Sequence, residues 1–353
     1  MRLLRTDNSL ALVEFFDENV PTYAILSHTW GTDELSLQDV QRWHAFNTSG
    51  IDEQSSTAAI EIVQKAGFDK VKRAAAFAAE RGFAYLWVDT CCIDKTSSAE
   101  LSEAINSMYK YYSRSAECHA LLADVPPAAE QDPLSPGSAF HGSRWFTRGW
   151  TLQELIAPRA LLFLARDWSV LGDKRNNPAL ADLVANITGV PVSVLLGKVR
   201  PGNISVASRL QWASERQTTR LEDVAYCLLG IFDVNIPLLY GEGQRAFVRL
   251  QEAILKSTSD QSIFAWNHVD TLSDDPDSLY GLFAQSPVNF RHCAGIETLP
   301  IASTAISIPV EITSHGVRMT RAASSTWPWD YPRDEGSPGK RGALNGAYAT
   351  MSL

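Results

Sequence analysis

Several signatures are missing from this 353-residue chain, and each absence removes a class of function. There is no GxxxxGK[ST] loop to cradle phosphates, and the lone Gly241-Glu-Gly243 lacks a third glycine and a preceding strand, so nucleoside-triphosphate hydrolysis is disfavoured. No HExxH or paired CxxC spacing offers a metal cage, and no metal is expected. The five cysteines (Cys91, Cys92, Cys118, Cys227 and Cys293) form an odd set that fits reduced thiols rather than a disulfide framework. Lys and Arg never accumulate in a block. The net charge of −9 also works against phosphate backbones and anionic bilayers, so neither nucleic acid nor membrane is an expected partner. No apolar run approaches the roughly 20 residues that span a bilayer. The start, MRLLRTDNSL, carries Arg5 and Asp7 where a signal peptide would be apolar, and the expected location is cytoplasmic.

What remains is an ordinary globular composition, 45% hydrophobic and 20% charged, laid out as alternating strands and helices. Tyr23-Ala-Ile-Leu-Ser27 is a buried-strand run that empties into the loop His28-Thr-Trp30-Gly31. Residues 58–81 have helical spacing, with Gly82 placed as a C-terminal cap. A second strand over 83–88 ends in Asp89-Thr-Cys91-Cys92-Ile-Asp94-Lys95, and residues 97–113 open with serines and acids as a capped amphipathic helix does. A third strand is expected over 118–123, a Pro/Ala/Ser/Gly-rich loop over 124–142, a helix over 144–156 stopped by Pro158, and a fourth strand over 160–165. This alternation predicts an α/β fold with a parallel sheet, whose ligand sites collect at the carboxyl ends of the strands. The pattern turns mainly helical from about 176 to 256. Beyond about 315 the content of Ser, Trp, Pro, Arg and Gly reads as irregular.

Three segments at strand or loop ends, 23–31, 85–95 and 144–155, carry the chemistry-bearing residues. Cys91 or Cys92 offers a nucleophile, with His28 as base and Asp89 or Asp94 as orienter. Against this, adjacent residues on an extended chain point to opposite faces, and free cysteines are commonly buried as small hydrophobes. Trp150-Thr-Leu-Gln-Glu154 puts an indole and a carboxylate on one helical face. Trp30-Gly-Thr-Asp-Glu34 has the same spacing, but in a loop broken by Gly31. The plain alternative for Glu154 is a solvated carboxylate paired with Arg144, Arg148 or Arg159.

The series YAILSHTWG, YLWVDTCCIDK, RGWTLQEL, RLEDVAYCLLGIF, IPLLYGEGQRAF and SIFAW, in order across residues 22–266, resembles the fungal heterokaryon-incompatibility (HET) domain. Its strand–helix order and Trp-x-x-x-Glu segment in turn resemble Toll/interleukin-1 receptor (TIR) domains, with Thr151 where those domains often have Cys. The resemblance implies a TIR-like (flavodoxin-like) parallel sheet flanked by helices over 1–172, a mainly helical part of the HET domain over 173–266, and a C-terminal extension over 267–353. It also implies hydrolysis of NAD at the nicotinamide–ribose bond, with NAD as substrate and no cofactor, in fungal incompatibility and programmed cell death. Glu154 takes the catalytic role, and Ser27, His28, Trp30, Gly31, Asp89 and Trp150 are the substrate-binding candidates. The implied partners are further copies of the chain in a homo-oligomer and an upstream sensor protein. A non-catalytic, self-associating death-signalling scaffold is the alternative.

Overall fold

The computed structural model describes residues 1–7, 9–16, 19–49, 53–267 and 281–297, together with three short strands at 311–313, 316–319 and 349–351. A seven-stranded sheet organises the described part. Its strands are β1 (Arg2–Arg5), β2 (Leu12–Glu14), β3 (Ala24–His28), β4 (Tyr85–Trp87), β5 (Glu117–Leu121), β6 (Leu161–Leu164) and β7 (Val170–Asp173), in the spatial order β2-β1-β4-β3-β5-β6-β7. The four expected strands, β3 to β6, are present and parallel to one another. β3 is buried at every position, as the unbroken apolar run predicts for a parallel strand covered on both faces.

The expectation of a parallel sheet needs one correction, because β1, β2 and β7 join it antiparallel. Their connections are the reason. Residues 6–11 link β1 to β2 and residues 165–169 link β6 to β7, far short of the roughly dozen residues that a parallel crossover needs. Helices α1 (Leu37–Ser49), α2 (Glu53–Gln64) and α3 (Ala66–Glu80) fill the first crossover. The single helix expected over 58–81 is thus two, broken where Lys65 turns extended and the Gly67 N–H donates to the Asp33 carbonyl at 2.9 Å. A Cβ on Gly67 would come within 2.3 Å of the Leu35 nitrogen, so only glycine lets α3 approach this loop. Gly82 adopts φ +84° beyond α3, as its capping position requires.

After β4 the chain makes a helical turn, α4 (Asp89–Cys92), instead of continuing extended. Cys91 and Cys92 therefore both face the core rather than opposite sides. α5 (Ser98–Arg114) follows, with the Ser97 side chain accepting from the Glu100 N–H as an N-cap. The helix expected over 144–156 is also split, into α6 (Arg144–Thr147) and α7 (Thr151–Ile156). Arg148 is extended between them, and Gly149 donates its N–H to the Gln217 carbonyl at 2.8 Å, so a backbone bridge to a distant segment interrupts the helix.

Beyond the sheet come α8 (Pro178–Thr188), α9 (Val192–Leu195), α10 (Val206–Gln211), α11 (Asp223–Tyr226), α12 (Leu229–Phe232) and α13 (Arg245–Ser257). α12 lies so close to α5 that a Cβ on Gly230 would sit 2.0 Å from that of Tyr109. One cluster of buried side chains runs from Leu3 to Cys293. Most of the segment expected to be irregular, beyond 315, lies outside the described residues. Among the described residues no helix is long and apolar enough to cross a membrane.

Candidate active site

The end of β3 sends neighbouring side chains to opposite faces of the sheet, because strand residues alternate. Ser27 points toward α6 and α7. Its hydroxyl donates to Glu154 Oε2 and accepts from the Trp145 indole N–H at 2.8 Å. Trp145 is itself fully buried, edge-on to Phe146 and Phe163, so the hydroxyl that meets Glu154 is fixed from behind.

Glu154 is 8% exposed. Burial pushes its carboxyl up to about 8, and the nearby Asp89 charge pushes in the same direction. Hydrogen bonds from Ser27 and Tyr112 and the charge of Arg148 pull the other way without overcoming these effects. The reading of Glu154 as a solvated, ion-paired carboxylate is thereby overturned. Arg144 turns instead to Asp124, at 3.7 Å, and Arg148 donates to Thr219 Oγ1 at 3.4 Å.

The short helix that carries Glu154 is held at both ends. At its start the Arg216 guanidinium donates to the Arg148 carbonyl at 2.8 Å and to Thr151 Oγ1 at 2.9 Å. At its end the fully buried Lys174 ammonium donates to the Leu155 carbonyl at 2.5 Å, the favourable place for a cation beside helix-terminal carbonyls. Burial lowers Lys174 to about 8 and Arg216 to about 10, the measure of how dry this face is.

The other face is charged throughout. His28 Nδ1 lies 3.0 Å from the Lys70 ammonium, which has no lone pair, so Nδ1 accepts and Nε2 donates to Asp89 Oδ1 at 3.0 Å. Burial opposes charge on Asp89, but its contacts with His28, Lys95 and Trp30 hold it below the ordinary carboxylate value. The Trp30 indole donates to Asp89 Oδ2 at 2.8 Å, and the Lys95 ammonium sits 3.7 Å above the Trp30 ring. Glu34 closes the loop, its Oε1 accepting from the Gly31 N–H and from Lys70.

The candidates from the sequence are thus gathered into two groups. Ser27 meets Glu154, while His28, Trp30 and Asp89 meet one another with Gly31 in the adjoining loop. Trp150 joins neither. It is half-buried just before α7, where its indole faces the Asp223 carboxyl. Trp145, Lys70 and Lys95 were missed: Trp145 stood in view beside the Trp150 motif, whereas the two lysines have no local spacing that marks them. For a thiol nucleophile the geometry is poor, because both ring nitrogens of His28 are taken. The Cys92 neighbour and burial also push the Cys91 thiol well above its ordinary value. Two clefts, of about 360 and 1140 Å³, lie elsewhere, around Arg2, Trp87 and Glu100 and around Tyr23, Lys110 and Arg114.

Residues 23–138, which carry Ser27, His28, Trp30 and Asp89, match the heterokaryon incompatibility protein (HET) family. These residues form a HET domain. The chain is 42% identical over 265 residues to the vegetative incompatibility protein HET-E-1 of Podospora anserina, an alignment covering 72% of this chain and 18% of that protein. The chain therefore spans about a fifth of the length of this curated relative. A domain of unknown function (DUF8212) matches residues 245–280, which contain α13. No solved structure matches the chain. The HET match ends before α6 and α7, so it includes Ser27 but not Glu154, whose segment falls within the longer alignment.

Proposed function

We propose that this chain hydrolyses NAD at the nicotinamide–ribose bond, through Glu154, as part of a heterokaryon-incompatibility or cell-death response. The HET domain and the likeness to a vegetative incompatibility protein support the biological setting. A TIR-like core is supported by strand order. Counted along the chain, the four parallel strands lie second-first-third-fourth, the order of doubly wound flavodoxin-type folds. In such folds ligands bind outside the carboxyl ends of the strands, where the order reverses, and β3 ends there with Ser27 and His28.

The observation that carries the reading is a buried carboxyl, free of any ion-pair partner among the described residues, pinned to a serine at that strand end. Nicotinamide leaves a cationic ring as a neutral molecule, so no second carboxyl is needed as general acid. A pyridinium cation brought beside Glu154 opposes the effects that hold the acid neutral and draws it into its charged form. In a dry site that carboxylate then faces the oxocarbenium charge of the transition state, where preorganised electrostatics act most strongly. Ser27, fixed by Trp145, orients the carboxyl and does not react.

One observation favours the scaffold alternative: at 8% exposure, Glu154 is closed to a substrate as large as NAD. Both readings accommodate self-association, which in the enzymatic one opens the site. Nicotinamide release by purified protein, measured over a hundredfold range of concentration, separates them. Release that climbs per molecule with concentration and vanishes in Glu154→Gln supports the enzyme with assembly-driven opening. No release at any concentration leaves the scaffold.

A further inference from the structure

Trp30 differs from the other aromatic residues of the site in being 48% exposed, with its ring fixed rather than loose. Its N–H is anchored on Asp89, and the backbone of the next residue, Gly31, is anchored on Glu34. Glu34 is in turn tied to Lys70. A fixed indole backed by an ionised carboxylate is the construction that recognises organic cations: the ring face attracts positive charge and the carboxylate adds a full negative one. In this structure the face is taken by the ammonium of Lys95, from the loop after α4, 3.7 Å from the ring centroid. Lys95 is exposed as a residue and carries its ammonium on a flexible four-carbon stem, while burial of that ammonium pushes its pKa down against the pull of Asp89.

We propose that Trp30 and Asp89 form a binding site for a pyridinium-type organic cation, and that Lys95 is a built-in competitor that occupies the site until such a cation displaces it. The inference rests on the NAD reading for its choice of ligand. It gives that substrate's positive ring a first docking point on the charged face of β3, across the strand from the buried Glu154. An adjacent carboxylate and aromatic face discriminate by charge, so the oxidised dinucleotide, whose nicotinamide ring is cationic, binds there and the reduced one, whose ring is neutral, does not. Displaced Lys95 remains on the surface near the ligand, where its ammonium suits a phosphate.

The test uses N-methylnicotinamide methylated on the ring nitrogen, a pyridinium cation without ribose or phosphates, titrated into the full chain by calorimetry. Neutral nicotinamide is the control. A cation–aromatic contact at an exposed site is worth about 0.5–1 kcal/mol, so removing the competitor in Lys95→Met is expected to tighten N-methylnicotinamide binding about two- to fivefold. Lys95→Arg, which keeps a cation able to stack on the ring, is expected to leave it near wild type, and Trp30→Leu is expected to abolish it. Unfolding temperatures of the variants report whether each has folded. Equal affinity in wild type and Lys95→Met, or retained binding in folded Trp30→Leu, overturns the proposal. Because the probe has no glycosidic bond, the outcome is independent of turnover. Nicotinamide release from NAD with no Lys95 effect sinks this inference alone, whereas the Lys95 effect without release leaves a cation site and sinks the hydrolase.

Discussion

Ser27 and His28 are neighbours on one strand, yet they serve opposite electrostatic designs. On the Ser27 face Glu154 is dry, unpaired and pushed toward neutrality, and even Lys174 and Arg216 bond mainly to backbone carbonyls. On the His28 face Glu34, Lys70, Asp89 and Lys95 alternate in sign around a histidine and a tryptophan. One strand thus separates a carboxyl whose charge waits on a ligand from a group of charges already balanced. A neutral buried acid stores an unfavourable charging step that a cation can reverse, and an ion-paired one does not.

Glu154→Gln breaks this asymmetry most sharply. If the proposed hydrolysis holds, losing the charge that faces the transition state costs about 10²–10³ in rate while the fold survives, read as nicotinamide release. Glu34→Gln, with the same Trp-x-x-x-Glu spacing on the charged face, keeps most of the activity. The reverse result would mean that catalysis belongs to the His28 face. The same Glu154→Gln variant reports the stored charging step without any substrate. The folded-state pKa of Glu154, about 8, lies above its value of 4.5 in an exposed chain. The wild type therefore has its full contribution from this group below pH 4.5, and loses it as pH rises through the folded value. The slope is about 1.4 kcal/mol per pH unit. Glutamine does not titrate. Denaturation at pH 5, 6, 7 and 8 should show the variant gaining steadily on the wild type, with the gap constant above about pH 8. A gap flat across this range would mean that Glu154 is ionised in the folded protein.

Two glycines let each face be disturbed separately. Alanine at Gly67 would meet backbone atoms of residues 33–35 at 2.3–2.7 Å, pushing away the loop that carries Glu34. Alanine at Gly149, just before α7, meets Thr218 Cγ2 at 2.5 Å and Cys227 Sγ at 3.2 Å, side chains of a distant segment packed against it. Overpacking of this kind costs about 1–3 kcal/mol. Gly67→Ala should fall at the upper end, because backbone yields less readily than side chains. Thermal unfolding gives the order, and equal losses would show that the 33–35 loop is softer than its contacts imply.

The four parallel strands were legible because covered strands are written as short apolar runs, and the α5 cap because Ser97 and Glu100 stand at capping distance. The helix breaks at Lys65 and Arg148 were not, since each is made by a backbone bond to a segment far along the chain or across a loop. The antiparallel strands were missed for a related reason: RLLR, LVE and VLGD are too short to show a period, and it is their neighbours that make them strands. At the site, residue type flagged Glu154, Ser27, His28 and Asp89, but local sequence did not encode that Ser27 and His28 face apart. Nor did it indicate which carboxyl would be stripped of partners, because Lys70 and Arg216 reach the site through tertiary packing alone.

The smallest expected effect concerns the thiols beside the charged face. Cys91 and Cys92 are both buried in the α4 turn, where the Cys92 sulfur accepts from the Val88 N–H at 3.4 Å and the Cys91 thiol points back to the Val88 carbonyl. With its neighbour and burial keeping Cys91 protonated, neither the thiolate nor an available base is present for nucleophilic attack. Serine at either position exchanges a polarizable thiol for a smaller, more polar hydroxyl. The cost should lie in the roughly 0.5–3 kcal/mol range of ordinary core substitutions, with Cys91→Ser above Cys92→Ser because the Cys92 site already supplies an N–H donor. Turnover per folded molecule should not change in either variant. Since α4 begins with Asp89, a loosened turn would first be felt by the Asp89–His28 and Asp89–Trp30 bonds. A folded Cys91→Ser protein that still releases nicotinamide but binds N-methylnicotinamide more weakly would show that the two faces are coupled through this turn. Complete loss of turnover in a well-folded Cys91→Ser protein would move the chemistry from the dry face to the thiol.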